Sequence, residues 1–490
     1  GAEVPIRADY DAEQLEALAH DIDLAIGDPR VDFGMDVQDG TAHVTDGHDG
    51  QMVSRETLAS ELDRILLADE AEVGSFVAHA EFAPLRIDRD QAQATCDAVN
   101  ALLTPGATFS YDGTDIHVAT NDLGTWVGSY AAELPDGGYR LDPYLDDAKA
   151  TPALVSLMNE EVRGEKVAVS FSKQGSDVIV SPHGEIAIPQ LDEAIEALDA
   201  RMFDEYRADG TFRSEPVYDV IDIKASLHDG PIPFDEALAY GVIGEISSYT
   251  TQYTATSATQ NRNHNIHLAA DLLNDSITPA NGGEWSFNEV AGDSGEGANA
   301  GFLPAGVIID GEYETSDAGG VCQVATTVFN AVYDAGYPVT QRQAHSLRMA
   351  SYPDGRDAAV SYPELDLTWE NDTDSDVLMR TSYTDTTVTV ALYGINPGYV
   401  VSSEVGEWAE GDKYVVKYEE DESLPEGKAK VKTEGTDGSY IQVKRIVCDR
   451  DGNFLRDAVF TSNYLPINKI VVYGPGTDLA ELHAEYDRED

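Results

Sequence analysis

Apolar residues recur at helical spacing in the first part of the chain, and short alternating segments separate these stretches. Residues 37–45 and 167–181 alternate apolar and polar side chains, and the second segment turns at Gln174-Gly175, which is typical of a hairpin. We interpret residues 8 to 215 as two copies of a helix, hairpin, helix unit and predict domains over 1–80 and 81–225. The helical stripes are Leu15, Leu18, Ile22 and Leu24; Leu58, Leu62, Ile65 and Leu66; and Leu191, Ile195 and Leu198.

The pattern changes after a linker over residues 225–240 that is rich in Pro, Gly and Asp. Helical spacing predicts helices over 263–273 and 321–335, and residues 365–392 predict strands around Asn371. After Pro397 the chain consists almost entirely of alternating strands and turns. The sequence therefore predicts an α+β, multidomain protein with a mixed domain over 240–397 and an all-β module over 398–490.

The charge of the chain excludes several classes of function. It has 490 residues, with 90 Asp and Glu against 31 Lys and Arg, and a formal net charge of -59. Nucleic-acid binding requires a basic surface that displaces counterions, so we predict no nucleic-acid partner. Adsorption to anionic lipid through a polybasic surface is excluded for the same reason. With 42% hydrophobic residues the chain can still bury substantial cores.

The three cysteines lie in different settings. Cys96 lies in a helical pattern and is expected to be a small core residue, whereas Cys448 ends an alternating strand. Their dissimilar settings make a disulfide between them improbable. Cys322 follows Gly319-Gly320 at the start of the helix predicted from residue 321.

This position favours a reactive thiol at Cys322. The two glycines permit a sharp turn and close approach of a substrate. The unpaired N–H groups and the macrodipole of a helix N-terminus stabilise a thiolate, the form in which cysteine acts as a nucleophile. Backbone N–H groups of this turn, with Gln323 as a side-chain donor, could stabilise an oxyanion. The alternative is that Cys322 is a small residue that packs the helix.

A nucleophilic thiol needs a base, and His345 follows the Cys322 helix after a loop. A cysteine that opens a helix and a later histidine from an extended segment occur in this order in Cys/His enzymes. Asp357 is a candidate for the carboxylate that orients the imidazole. An ordinary surface histidine is the alternative for His345. His264 and His267 are three residues apart but lack a third ligand, so we predict neither a metal nor a cofactor.

Five segments of the middle region carry a family resemblance. They are Arg262-Asn-His-Asn-Ile266, Trp285-Ser-Phe-Asn-Glu-Val290, Gly319-Gly-Val-Cys-Gln-Val-Ala-Thr-Thr327, His345-Ser346 and Gly355-Arg-Asp-Ala358. In this order they closely resemble the successive motifs of the VanW domain, named from vancomycin-resistance clusters, over about residues 245 to 397. The usual third glycine before the cysteine is Ala318 here. The two N-terminal units resemble peptidoglycan-binding repeats, and residues 398–490 resemble a G-five-type β module.

The resemblance implies a bacterial cell-envelope protein at the extracellular face of the membrane, with peptidoglycan stem peptides and glycan as partners. Such proteins are usually tethered by an N-terminal helix, and the chain begins without Met, so we expect that an upstream anchor was removed. VanW domains have been linked to L,D-transpeptidation, the formation of 3-3 cross-links through a cysteine thioester. Cys322 would then be the nucleophile and His345 the base, while Arg262, Arg356 and Asn288 would bind substrate.

Two other functions remain open from the sequence. A thiol amidase or peptidase would use the same acyl-enzyme but transfer the acyl group to water. A non-catalytic wall-binding scaffold would use the glycine turn and Cys322 only as structure. Product mass distinguishes transfer from hydrolysis, and labelling of Cys322 by a mild electrophile distinguishes an enzyme from a scaffold.

Overall fold

A computed structural model describes residues 11–66, 77–162, 166–213, 219–292, 301–309, 312–316, 319–349 and 351–487. The helices of these residues are Ala12–Ile26 (α1), Arg55–Leu66 (α2), Arg89–Leu103 (α3), Thr120–Trp126 (α4), Asp147–Glu161 (α5), Leu191–Asp209 (α6), Phe234–Ala239 (α7), Gln260–Leu273 (α8), Phe287–Ala291 (α9), Val321–Ala335 (α10) and Leu479–Tyr486 (α11). None of these helices has the length and apolar content that crossing a membrane requires.

The strands of the same residues are shorter and more numerous than the helices. They are Gly34–Gln38 (β1), Thr41–Thr45 (β2), Gly50–Val53 (β3), Ala80–Ala83 (β4), Ala107–Tyr111 (β5), Thr114–Val118 (β6), Val127–Glu133 (β7), Tyr139–Leu145 (β8), Val169–Gln174 (β9), Asp177–Pro182 (β10), Ile186–Pro189 (β11), Ile221–Asp222 (β12), Ala225–His228 (β13), Ile232–Pro233 (β14), Gly244–Gln252 (β15), Ser276–Thr278 (β16), Gly283–Ser286 (β17), Ala305–Ile309 (β18), Glu312–Ser316 (β19), Val339–Gln341 (β20), Thr368–Asn371 (β21), Val377–Tyr383 (β22), Thr387–Gly394 (β23), Val400–Val405 (β24), Ala409–Glu410 (β25), Val416–Glu420 (β26), Ala429–Thr433 (β27), Ser439–Cys448 (β28), Phe454–Tyr464 (β29) and Lys469–Tyr473 (β30). The predicted mixed α+β class is confirmed.

The chain divides into two compact units, residues 1–164 with 187–226 and residues 165–186 with 227–490. In the first unit, helices α3 to α6 and the β5–β6 hairpin enclose a core that includes Phe109, Trp126 and Phe203, all fully buried. The predicted hairpin at Gln174-Gly175 is present as β9 and β10, but it belongs to the second unit. The division of residues 1–225 into two repeats stays a prediction.

The second unit is built around helix α10. A four-stranded sheet in the order β15-β23-β22-β16 forms one layer, and α8 and α10 pack on it. Helix α10 is buried on nearly every side, because strands of the C-terminal module also contact it. Phe460 of β29 packs edge-on against Phe329 of α10, with ring centroids 5.2 Å apart. The two predicted domains of this unit therefore share one hydrophobic core.

The C-terminal module consists of two small sheets. Strands β24, β28 and β25 form the first sheet, to which β29 is added by pairing with β28. In the second sheet β30 pairs in parallel with β26 and antiparallel with β27. The module is all-β through Tyr473, and the short helix α11 follows it.

Candidate active site

Cys322 lies in the first turn of helix α10, directly after the glycine pair. Gly320 is the N-cap residue and has a left-handed backbone with φ +113°. A Cβ atom at Gly320 would lie 2.7 Å from the carbonyl oxygen of Arg262, and one at Gly319 would lie 2.6 Å from the carbonyl of Ala305. Both positions therefore require glycine, because neighbouring backbone approaches too closely for any side chain. The turn places Cys322, which is partly exposed, at the positive end of the helix dipole.

His345 is held in place by Asp357. One carboxylate oxygen of Asp357, Oδ2, lies 2.7 Å from His345 Nδ1 and accepts a second hydrogen bond of 2.7 Å from the His345 backbone N–H. The two segments are also joined by an isolated antiparallel bridge, in which Ala359 N–H donates to the Gln343 carbonyl. With Nδ1 bound to the carboxylate, Nε2 is the ring nitrogen left to serve the thiol.

The other oxygen of Asp357 is bound by two residues that the sequence did not indicate. Tyr464 donates its hydroxyl proton to Asp357 Oδ1 at 2.7 Å, and Arg342 Nη2 donates to the same oxygen at 3.1 Å. Arg342 also donates to the carbonyl of Thr461 and to the hydroxyl of Ser462, both on β29. The Asp357 carboxylate is 2% exposed and thus has four hydrogen-bond donors in a buried setting.

The electrostatic setting of Cys322 favours the thiolate. Burial raises the pKa of the thiol, but the hydrogen bond and the positive charge of His345, together with the Val360 N–H and Arg262, outweigh it and lower that pKa below its usual value. Val360 N–H lies 3.5 Å from Sγ. Burial opposes a charged His345, but hydrogen bonds to Asp357 and Cys322 raise its pKa to about 9. Both shifts act in the direction of a thiolate–imidazolium pair.

Arg262 and Gln323 lie close to this pair. The positive charge of Arg262 acts on Cys322, and its Nη1 donates to the Gly306 carbonyl at 3.3 Å. The ring centroid of Tyr352 is 5.6 Å from that of His345. Gln323 is 2% exposed, donates its amide to Thr251 at 2.7 Å and accepts from the Tyr352 hydroxyl at 3.0 Å. In this arrangement the Gln323 amide links Thr251 to Tyr352 and does not point at the thiol.

Two predicted binding residues lie elsewhere. Arg356 stacks on Tyr333 and pairs at 2.6 Å with Asp334, which lies twelve residues along α10 from Cys322, about 18 Å of helix. Asn288 donates to the Leu365 carbonyl and lines a depression of about 410 Å³. Both residues belong to the quoted motifs, and their role in substrate binding stays a prediction. Ala318 lies outside the described residues.

The histidine pair on α8 does not form a metal site. His264 bonds to the Gly301 carbonyl, whereas His267 bonds to the Tyr253 hydroxyl at 2.8 Å and stacks on Tyr383. Within the described ranges no group of three or more His, Cys, Asp or Glu side chains is arranged to hold a metal ion.

Comparison with known proteins identifies two domains in the second unit. The model of the VanW-like protein family matches residues 261–393, and that of the G5 domain matches residues 409–476. Both predicted resemblances are confirmed, and the matched ranges lie inside the predicted domains. The predicted peptidoglycan-binding repeats stay a prediction.

Individual relatives cover only part of the chain. The uncharacterized protein YoaR of Bacillus subtilis (strain 168) is 33% identical over 158 residues, which is 32% of this chain and half of that protein. The solved structure of the IgA1 protease G5 domain is 23% identical and covers 16% of this chain and 88% of its own, with a TM-score of 0.12. A VanW-like domain combined with a G5 domain indicates a protein associated with the cell wall.

Proposed function

We propose that the VanW-like domain of this chain is a cysteine acyltransferase that acts on peptidoglycan stem peptides, namely an L,D-transpeptidase that forms 3-3 cross-links. One observation carries the proposal: at the start of α10 the His345 imidazole acts on the Cys322 thiol, and its Nδ1 is bound at 2.7 Å to the buried Asp357 carboxylate. A cysteine that only packed a helix would not need a buried imidazole whose second nitrogen is bound to a buried carboxylate.

The first half of the reaction forms a thioester. The Cys322 thiolate attacks the carbonyl carbon of the third stem residue, and the positive end of α10 stabilises the resulting oxyanion. When the C–N bond breaks, His345 donates its proton to the departing amine of D-Ala. The products of this step are an acyl-enzyme, a neutral imidazole and free D-Ala.

The second half reverses the proton transfer. The side-chain amine of a neighbouring stem attacks the thioester carbonyl, and the neutral His345 accepts a proton from that amine. The C–S bond breaks and regenerates the thiolate beside the imidazolium. Arg262 is proposed to hold a stem carboxylate during both steps, because its positive charge acts on the Cys322 thiol.

The proposed setting is the outer face of a bacterial membrane or the wall itself. The G5 domain is the proposed contact with wall glycan, and residues 1–225 are proposed to bind peptidoglycan. The acidic surface would attract the amine of an acceptor stem and keep the protein away from anionic wall polymers.

The test uses purified tetrapeptide muropeptides and mass spectrometry of the products. The parent chain should form a dimer that lacks one D-Ala, and Cys322→Ala should form none while it keeps the parent's circular dichroism spectrum. Arg356→Ala is the matched control, because Arg356 lies far from the thiol, and it should retain the product. A shortened monomer in place of the dimer would show hydrolysis, and equal product from Cys322→Ala would refute a thiol mechanism.

A further inference from the structure

We propose that the G5 domain is a working part of the active site, in which Tyr464 and Arg342 position the Asp357 carboxylate and, through it, His345. The inference deepens the proposed function and rests on its assignment of Cys322 as the nucleophile. It makes Tyr464 and Arg342 positioning residues, because neither is placed to touch the reacting carbon.

The contacts between β29 and the active site are specific and buried. Tyr464 is the last residue of β29, is 4% exposed and donates to Asp357 Oδ1 at 2.7 Å. The next residue, Leu465, donates its backbone N–H to the Ser346 carbonyl at 2.7 Å. One end of β29 therefore contacts both the side chain that orients His345 and the backbone directly after His345.

Arg342 makes a second connection between the same elements. Its guanidinium, with a side chain 3% exposed, donates to Asp357 Oδ1 at 3.1 Å and bonds to Thr461 and Ser462 of β29 at 3.0 Å and 2.9 Å. A planar guanidinium with several fixed donors can hold a carboxylate and a strand in one geometry. The position of the carboxylate therefore depends on the G5 strand as well as on the VanW-like segment that contains it.

Apolar packing makes this dependence rigid. Tyr464 forms a small buried cluster with Ala344, the residue before His345, and with Ile441 of β28. A Cβ atom at Gly355, where φ is +70°, would lie 2.7 Å from the Val443 side chain of β28. The segment that carries Asp357 thus lies directly against the β28–β29 hairpin, and the hairpin cannot move without moving it.

The test removes one hydroxyl from the full chain and measures the reactivity of Cys322. Tyr464→Phe keeps the ring in its cluster but removes its hydrogen bond to Asp357. Alkylation of Cys322 by iodoacetamide, followed by peptide mass spectrometry across pH 5 to 10, should slow about fivefold at pH 7, a loss within the range of one hydrogen bond. The pH at half-maximal rate should move upward.

A matched control exists in the same domain. Tyr418 donates its hydroxyl to Asp487 Oδ1 at 2.7 Å, the same interaction as that of Tyr464, but on the exposed surface of β26. Tyr418→Phe should leave the alkylation of Cys322 unchanged. Alkylation of Cys448, measured in the same samples, reports any general loosening of the G5 domain.

A double-mutant cycle tests whether Tyr464 acts through Asp357. In an Asp357→Asn background, Tyr464→Phe should change the rate less than twofold. An equal fold-change in both backgrounds, or no change from Tyr464→Phe in the parent, would overturn the proposal. Alkylation of Cys322 needs no muropeptide, so it tests this inference separately from the proposed function. If Tyr464→Phe slows alkylation but the parent chain forms no muropeptide dimer, the inference holds and the transpeptidase activity is rejected. If Tyr464→Phe alters folding, Ser462→Ala, which removes a hydrogen bond from Arg342, should lower the rate in the same direction.

Discussion

Replacement of Asp357 by Asn should strongly destabilise the second unit. The Asp357 carboxylate accepts two hydrogen bonds from His345 on Oδ2 and one each from Arg342 and Tyr464 on Oδ1. An Asn side chain has one oxygen, so in either orientation its NH₂ group faces donors that then lose their acceptor. The buried guanidinium of Arg342 also loses its counter-ion.

The magnitude follows from the burial of the pair. The side chains of Arg342 and Asp357 are 3% and 2% exposed, and breaking a buried ion pair by removal of one partner costs about 3–5 kcal/mol. For a unit of this size each kcal/mol of lost stability lowers the midpoint of thermal unfolding by roughly 2–4 °C, so Asp357→Asn should lower that midpoint by about 10 °C. That loss is a large part of the free energy of unfolding of a typical domain, which is roughly 5–15 kcal/mol.

The assay is thermal unfolding followed by tryptophan fluorescence. Of the four tryptophans only Trp126 lies in the first unit, so the signal reports mainly on the second unit. Asp354→Asn is the control, because Asp354 pairs with Arg348 at 2.9 Å but both side chains are about half exposed. Such a surface pair contributes about 1 kcal/mol or less. Equal midpoints for the two variants would refute the charge-balance argument.

Three further outcomes are expected. The pKa of His345 is raised to about 9, so the turnover rate should fall as pH rises through about 9, where His345 loses the proton that it donates to the leaving amine. Alkylation of Cys322 should continue above this pH. A fall in turnover near pH 6.5 would contradict the prediction. Gly320→Ala should lower the free energy of unfolding, measured with denaturant, by at least about 1–3 kcal/mol. Gly427→Ala should lower it less, because φ is +70° there but no atom lies near the added Cβ. Equal losses would disprove the close approach at Gly320. Arg356→Ala should lower the free energy of unfolding by about 1–2 kcal/mol, because it removes the ion pair with Asp334 and the contact with the Tyr333 ring. The rate of Cys322 alkylation should not change, and a slower rate would contradict the remote placement of Arg356.

The sequence predicted helix α10 at the bounds that the structure has, residues 321–335. The signal is local, since the glycine pair directly precedes the helix, the apolar spacing lies within it and Gly336 directly follows it. His345 and Asp357 could be named because they follow Cys322 closely in the chain. Their mutual geometry could not be derived, since it depends on the pairing of the Gln343 and Ala359 backbones.

Membership of one motif did not indicate that two neighbouring residues have different partners. Arg356 and Asp357 are consecutive in one motif, but they follow a turn and have different partners. Asp357 faces His345, whereas Arg356 faces Asp334 and Tyr333 on α10. Sequence proximity alone cannot assign both residues to one site.

By itself the sequence determined the α+β class, the VanW-like and G5 resemblances and the position of Cys322 at a helix start. Only the tertiary structure decided what surrounds Asp357, because Tyr464 lies 107 residues away in the chain. Propensity and periodicity report on neighbours along the chain. The partners of a buried charge are set by packing between distant segments, where desolvation requires every donor and acceptor to be satisfied.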